Sequence, residues 1–209
     1  MNLFAPPPPE APHPAAEVPL QWTTDQNGRR ECYRGAMFSR CRLYRAQLWR
    51  LWDPGLPFAQ FVCLNPSTAT ETEDDPTVRR VMGYAEAWGF GGVCMTNLFA
   101  FRATDPEVMK AHPSPVDPED DPGWNQRMIE RVAEAARVVV LAFGNHGRHL
   151  DRAESFARSL RHVRRPYGDG TLRVTALQVN GDGSPGHPLY LKADLTPQPF
   201  DLDTLHPGG

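Results

Sequence analysis

The stretch FVCLNPST, residues 61–68, decides how the rest of this chain is read. A strand-like apolar run stops abruptly at Asn65-Pro66. Proline has no N–H to offer a sheet ladder, so the chain must turn away there. Hydroxyl side chains follow at Ser67, Thr68 and Thr70. In an α/β protein, ligands bind at the carboxyl ends of strands. Asn65 would sit at such an end with an amide that both donates and accepts hydrogen bonds. The competing reading is that Asn65 caps its own turn.

Upstream, residues 30–53 mix aromatic residues with arginine and alternate in places, which predicts an early strand or hairpin ending at Asp53-Pro54-Gly55. Downstream, Asp75-Pro76 is a helix entry, with Asp75 as N-cap and Pro76 in the first turn. Val78, Val81, Met82, Ala85 and Trp88 fall near helical spacing, so a helix is expected over 77–88, stopped by Gly89. The run from Gly92 to Phe101 reads as a strand, and residues 103–124, rich in Pro and Asp, as a long loop with one short helix. An amphipathic helix over 124–136 leads into the wholly apolar 138–143, as in a strand covered on both faces. A helix near 147–161, a strand over 172–179 and a Gly/Pro-rich loop over 181–188 complete the order. Strands alternating with helices predict a doubly wound, three-layer α/β sandwich around a central, mostly parallel sheet.

At 209 residues the chain suits one domain with a full core. Seven of its 22 Pro fall in the first twenty residues. Residues 1–18 therefore read as a Pro-rich disordered tail, and 19–209 as a single α/β domain. The tail lacks the charged and apolar regions of a signal peptide, and no window approaches a membrane span, so a cytoplasmic, non-membrane protein is expected. Cys63 and Cys94 fall in predicted strands and read as reduced core residues; Cys32 and Cys41 are spaced too widely for a thiolate metal set. His146 and His149 lack carboxylate or thiolate partners at matching spacing, so no metal is expected. The net charge of −3 does not advertise nucleic-acid binding. Yet only Lys110 and Lys192 are lysines, and eight Arg against three acids fall between Arg137 and Arg173. Arginine suits bidentate phosphate contact; a solvated helix face explains the same cluster.

Three polar residues fall at or after predicted strand ends: Asn65, Asn97 and His187. In a parallel sheet they would converge on one crevice. Each also has a plainer reading, as a turn cap, a strand-end residue or an exposed turn residue. The set LNPSTA, DDPTVRR, NLFAFRATDP and GSPGHPLYL, spread over roughly 30–192, resembles the uncharacterised bacterial family DUF1643. More distantly, LNP at 64–66, TNLFAFRA at 96–103, VVVLAFGNHG at 138–147 and GHPLYL at 186–191 resemble, in order and spacing, the motifs of the uracil-DNA glycosylase superfamily. Leu64 stands where that superfamily usually has Gly, and Ser67 where it often has Gly or Tyr.

The second resemblance implies a uracil-DNA glycosylase-like fold and a DNA glycosylase-like activity without a cofactor. Asn65 would position the attacking water. Asn97 would read the base edge, with Phe99 or Phe101 stacking on the base, and His187 would donate to a base oxygen that gains negative charge. Ser67, Thr68, Arg79, Arg80 and Arg102 would meet phosphate, although Arg79 and Arg80 could instead pair with Asp74 or Asp75. The partner would be DNA or a nucleotide base, met by a monomer. Two other classes stay open: a non-catalytic nucleic-acid- or nucleotide-binding module, and an N-ribosyl hydrolase acting on free nucleosides.

Overall fold

The computed structural model describes residues 33–164 and 170–205; the Pro-rich tail expected over 1–18 lies outside the described residues. A seven-stranded sheet organises them. Its strands are β1 (Tyr33–Phe38), β2 (Arg45–Leu51), β3 (Phe58–Cys63), β4 (Gly92–Asn97), β5 (Val138–Leu141), β6 (Val174–Ala176) and β7 (Gln198–Pro199), in the order β1-β2-β4-β3-β5-β6-β7. The helices are α1 (Pro76–Ala87), α2 (Pro106–Ala111), α3 (Trp124–Ala135) and α4 (Arg152–Leu160).

β4, β3, β5 and β6 run parallel. The pairs β1–β2, β2–β4 and β6–β7 are antiparallel. The sheet is therefore mixed, which overturns the expectation of a doubly wound sandwich with a mostly parallel, uracil-DNA glycosylase-like sheet. The reason lies in the connections. A parallel neighbour needs a crossover of about a dozen residues or more, and only residues 39–44 join β1 to β2, and 52–57 join β2 to β3.

The second of these loops steps over the start of β4. Trp52 and Asp53 both donate their N–H to the Gly91 carbonyl, at 2.8 and 2.9 Å, and the Gly91 N–H donates to Pro57 O at 2.8 Å. A Cβ on Gly91 would lie 2.0 Å from Asp53 O. Glycine is what lets the loop cross so closely.

Side chains of β3 alternate between two cores, as a period of two requires. Ala59, Phe61 and Cys63 face the α1 side with Val78 and Val81. Val62 and Leu64 face the α3 and α4 side with Ile129 and Phe156. All four residues of β5 are buried, in keeping with a strand covered on both faces. Burying each Val, Leu or Phe contributes about 1.5–3 kcal/mol. The thiols of Cys63 and Cys94 are buried, and burial pushes each up to about 12, so both are inert core residues.

α1 begins as its sequence predicts: Asp75 Oδ1 accepts from Val78 N–H at 2.9 Å, Pro76 follows, and Gly89 at φ +79° closes the end. Other boundaries moved. β4 stops at Asn97 rather than Phe101, and the strand expected over 172–179 shrinks to β6. The helix expected near 147–161 is broken: a 3₁₀ turn spans Asn145–Asp151, Leu150 and Asp151 adopt positive φ, and α4 starts only at Arg152. Among the described residues, no helix is long and apolar enough to cross a membrane.

Candidate functional site

The strand order places a crevice without reference to any side chain. From β3 the chain moves to β4 on one side, then returns past β3 to β5 on the other. The winding reverses between β3 and β5, and carboxyl ends at such a reversal part to leave an opening. Asn65 follows β3 there, and Gly144 follows β5.

The Asn65 amide is held from one side. Its Nδ2 donates to Ala103 O at 2.7 Å and to Pro66 O at 3.1 Å, and Ala103 N–H donates back to Pro66 O at 2.9 Å. Both partners are carbonyls, which accept only, so the amide cannot be flipped. The two N–H bonds are spent on the turn, and Oδ1 is left as the acceptor. The half-buried side chain thus does both things considered for it: it ties its own loop, and it keeps an acceptor with a defined direction.

His187 reaches the same opening from the loop after β6. Gly144 N–H donates to Pro185 O at 2.9 Å, and a Cβ on Gly144 would stand 3.9 Å from the His187 Cβ. The flank of α1 holds the following segment by its carbonyls. Arg80 donates to Pro188 O at 3.5 Å and to Leu191 O, the Tyr84 hydroxyl to Lys192 O, and Trp88 Nε1 to Leu195 O at 3.1 Å. His187 Nδ1 accepts from Leu189 N–H at 3.4 Å. With Nδ1 accepting, the neutral ring carries its proton on Nε2 as a donor. Burial pushes this imidazole below its ordinary value, while the Asp75 carboxylate pulls the other way. The neutral form therefore prevails at pH 7.

Asp75 is the charge that links the parts. Its carboxylate acts electrostatically on His187, on Cys63 at the end of β3 and on the buried Arg45. The sequence reading gives Asp75 as a helix cap or a partner of Arg79 or Arg80, because nothing in linear spacing tells that its charge acts on His187. Arg45, held by Ala69 O at 2.6 Å and pushed down to about 10 by burial, was missed as well; its position inside an alternating Arg-aromatic run gave no sign of burial.

The other expected site residues are placed as follows. Asn97 ends β4 beside Cys63, one strand away from the β3/β5 opening, and is 1% exposed with no partner for Nδ2. Phe99 is in the core against His149, with ring centroids 5.7 Å apart. Phe101 stacks on His112 at 3.8 Å and meets Tyr44 edge-on. Ser67 is half-buried and Thr68 exposed at the lip. Arg79 donates to Asp74 O and Arg80 to the carbonyls given above, so both guanidinia hold backbone. Arg102 donates to Arg42 O at 3.2 Å, and its guanidinium and that of Arg42 both lie over the Phe38 ring, at 5.0 and 4.1 Å. Among the described residues no group of three or more His, Cys, Asp or Glu is gathered as a metal site.

The fold defines an α/β protein with a mixed sheet whose strand order reverses between β3 and β5, where Asn65 and the Gly144–His187 contact stand. Within that class the chain belongs to the family described as "Protein of unknown function (DUF1643)", which matches residues 45–189, well over half its length. The matched span contains Asn65, Asp75, Asn97, Gly144 and His187. No curated protein and no solved structure matches the chain.

Proposed function

We propose that the β3/β5 crevice binds a nucleobase and that the protein hydrolyses its N-glycosidic bond. The observation that carries this reading is one fixed acceptor and one fixed donor at the same edge of the sheet: Asn65 Oδ1, oriented by two carbonyls, and His187 Nε2–H, in a tautomer set by Leu189. Neither group is a strong base or nucleophile. That pair suits a reaction whose transition state is already largely dissociated. Water held by Asn65 Oδ1 adds to the anomeric carbon as the C–N bond breaks. The electron pair leaves with the base, and His187 Nε2–H stabilises the resulting anion. The water's proton passes to solvent or to the departed base. A neutral imidazole donor serves here, and one such donor is worth on the order of 3 kcal/mol in the transition state. A base in duplex nucleic acid would first have to leave its stack.

A binding-only reading draws on a separate observation, the burial of Asn97 away from the opening, which leaves base-edge recognition to backbone and to Asn65. Oligonucleotides carrying uracil or hypoxanthine, in duplex and single strands, separate the readings. Alkali cleavage at new abasic sites, reduced at least about tenfold (roughly 1.4 kcal/mol) in His187→Ala and Asn65→Ala, supports hydrolysis. Binding with every base still attached supports the binding module. Release of base from free nucleosides alone supports the N-ribosyl hydrolase.

A further inference from the structure

Two arginines of the arginine-rich stretch, Arg137 and Arg173, stand away from the crevice. Arg137 immediately precedes β5 and Arg173 immediately precedes β6, and these strands are parallel neighbours. Both arginines therefore stand at the amino edge of the sheet, the end opposite Asn65 and Gly144. Six residues, 138–143, separate Arg137 from Gly144, roughly 20 Å of chain.

At that edge lies a cavity of about 440 Å³, lined by Arg137, Arg161 and Arg173. Its apolar wall includes Phe90, from the core on the α1 side, and Phe200, from the core on the opposite face. The volume lies in the range of small-molecule sites, and the mixture of apolar wall and few polar groups is the usual one. The charges are not balanced evenly. Arg161 is paired with Asp203. Asp201 also lines the cavity, and its Oδ1 accepts from Asp203 N–H at 2.9 Å. Arg137 and Arg173 are half-buried, and neither guanidinium has a hydrogen bond or ion pair among the described residues. This contrasts with the other enclosed arginines: Arg45, Arg50 and Arg152 all donate to carbonyls or acids. Two forked donors lining an apolar cavity can each meet two oxygens of a phosphate.

We infer that this cavity is a second binding site, distinct from the crevice, for a small phosphomonoester with a flat apolar body: Arg137 and Arg173 take the phosphate, and the Phe90–Phe200 wall takes the body. The site is independent of the proposed hydrolysis.

Phenyl phosphate is a suitable probe, titrated calorimetrically into the full chain, with phenol and inorganic phosphate as partial probes. The expected result is saturable binding of phenyl phosphate, tighter than of either partial probe. Arg137→Gln and Arg173→Gln should each weaken it at least about tenfold with an unchanged melting temperature of the unliganded protein. His187→Ala should bind as the parent does, so failure of the crevice reading leaves this result standing. Absence of binding, binding unaffected by both arginine variants, or binding lost in His187→Ala overturns the proposal. So does an outcome in which the arginine variants weaken binding of a 5′-phosphorylated oligonucleotide while phenyl phosphate does not bind.

Discussion

The Asn65 amide and the Ala103 carbonyl are joined by a 2.7 Å hydrogen bond across 38 residues of chain. Ala103 answers with its own N–H to Pro66 O. The exit of β3 is thereby stitched to the segment leaving β4, and the stitch sets the direction of Asn65 Oδ1.

Asn65→Asp replaces two donors with an anion facing two carbonyls. Partly buried bonds of this kind contribute about 0.5–1.5 kcal/mol each, and an unsatisfied group costs more. A loss of roughly 1–3 kcal/mol is expected, read as a lower urea midpoint with unchanged slope. An unaltered midpoint would show that the stitch is dispensable. Activity comparisons on Asn65 variants should accordingly be made well below their unfolding transitions.

Arg50 is a fully enclosed charge. Its side chain is 0% exposed; it pairs with Asp74 at 2.7 Å and donates to Thr70 O at 2.8 Å. Asp74→Ala strands a buried guanidinium and should cost about 3–5 kcal/mol. The double variant Arg50→Met, Asp74→Ala should recover part of that loss, since it removes the charge as well as its partner. Chemical denaturation of the four proteins of this cycle gives the coupling; additive losses would argue against it.

His187 should make stability pH-dependent in one direction. Its folded-state value lies below the ordinary one because burial disfavours the imidazolium. The unfolded chain therefore takes up the proton first as the pH falls. The contribution is fully present above about pH 6.5, the ordinary value, and is lost as acidity passes through that value towards the lower folded one. Proton NMR titration of the imidazole should give a midpoint under 6.5. His187→Gln should remove this contribution from the stability profile. If base release occurs and needs the neutral donor only, its rate should level off above the same midpoint.

Gly144 adopts φ +67° and ψ −166°, a region essentially reserved for glycine. Gly144→Ala should cost roughly 1–3 kcal/mol through backbone strain. Contact with His187 contributes little to this, since 3.9 Å is ordinary van der Waals distance. Thermal unfolding checks the size of the loss. A variant as stable as the parent would mean that the β5 exit relaxes to another conformation.

Much of the architecture was legible in one dimension because local rules wrote it. The Asp75-Pro76 entry of α1 follows from capping and proline geometry, and the burial of β5 follows from its unbroken apolar run. Strand direction was legible too, in the brevity of residues 39–44 and 52–57, which cannot cross over to a parallel neighbour. Of the longer connections, those from β3 to β4, β4 to β5 and β5 to β6 are parallel crossovers, whereas residues 177–197 join the antiparallel β6 and β7; extending the crossover pattern to the whole chain is what made the sheet look mostly parallel. The early break near Leu150 and the shortening of β6 were not legible. They depend on what the neighbouring elements leave to be buried.

The sequence by itself determined the polar inventory: an amide held at the end of an apolar strand, a histidine beside proline in a glycine loop, and arginine in place of lysine. Those are matters of composition and of backbone rules acting over a few residues. Only the tertiary structure decided their grouping. It brought His187 beside Gly144 and under the charge of Asp75, left Asn97 buried a strand away, and moved Arg137 and Arg173 to the opposite edge. Such groupings depend on strand order and direction, which are set by how distant segments share a core. No spacing along the chain encodes them.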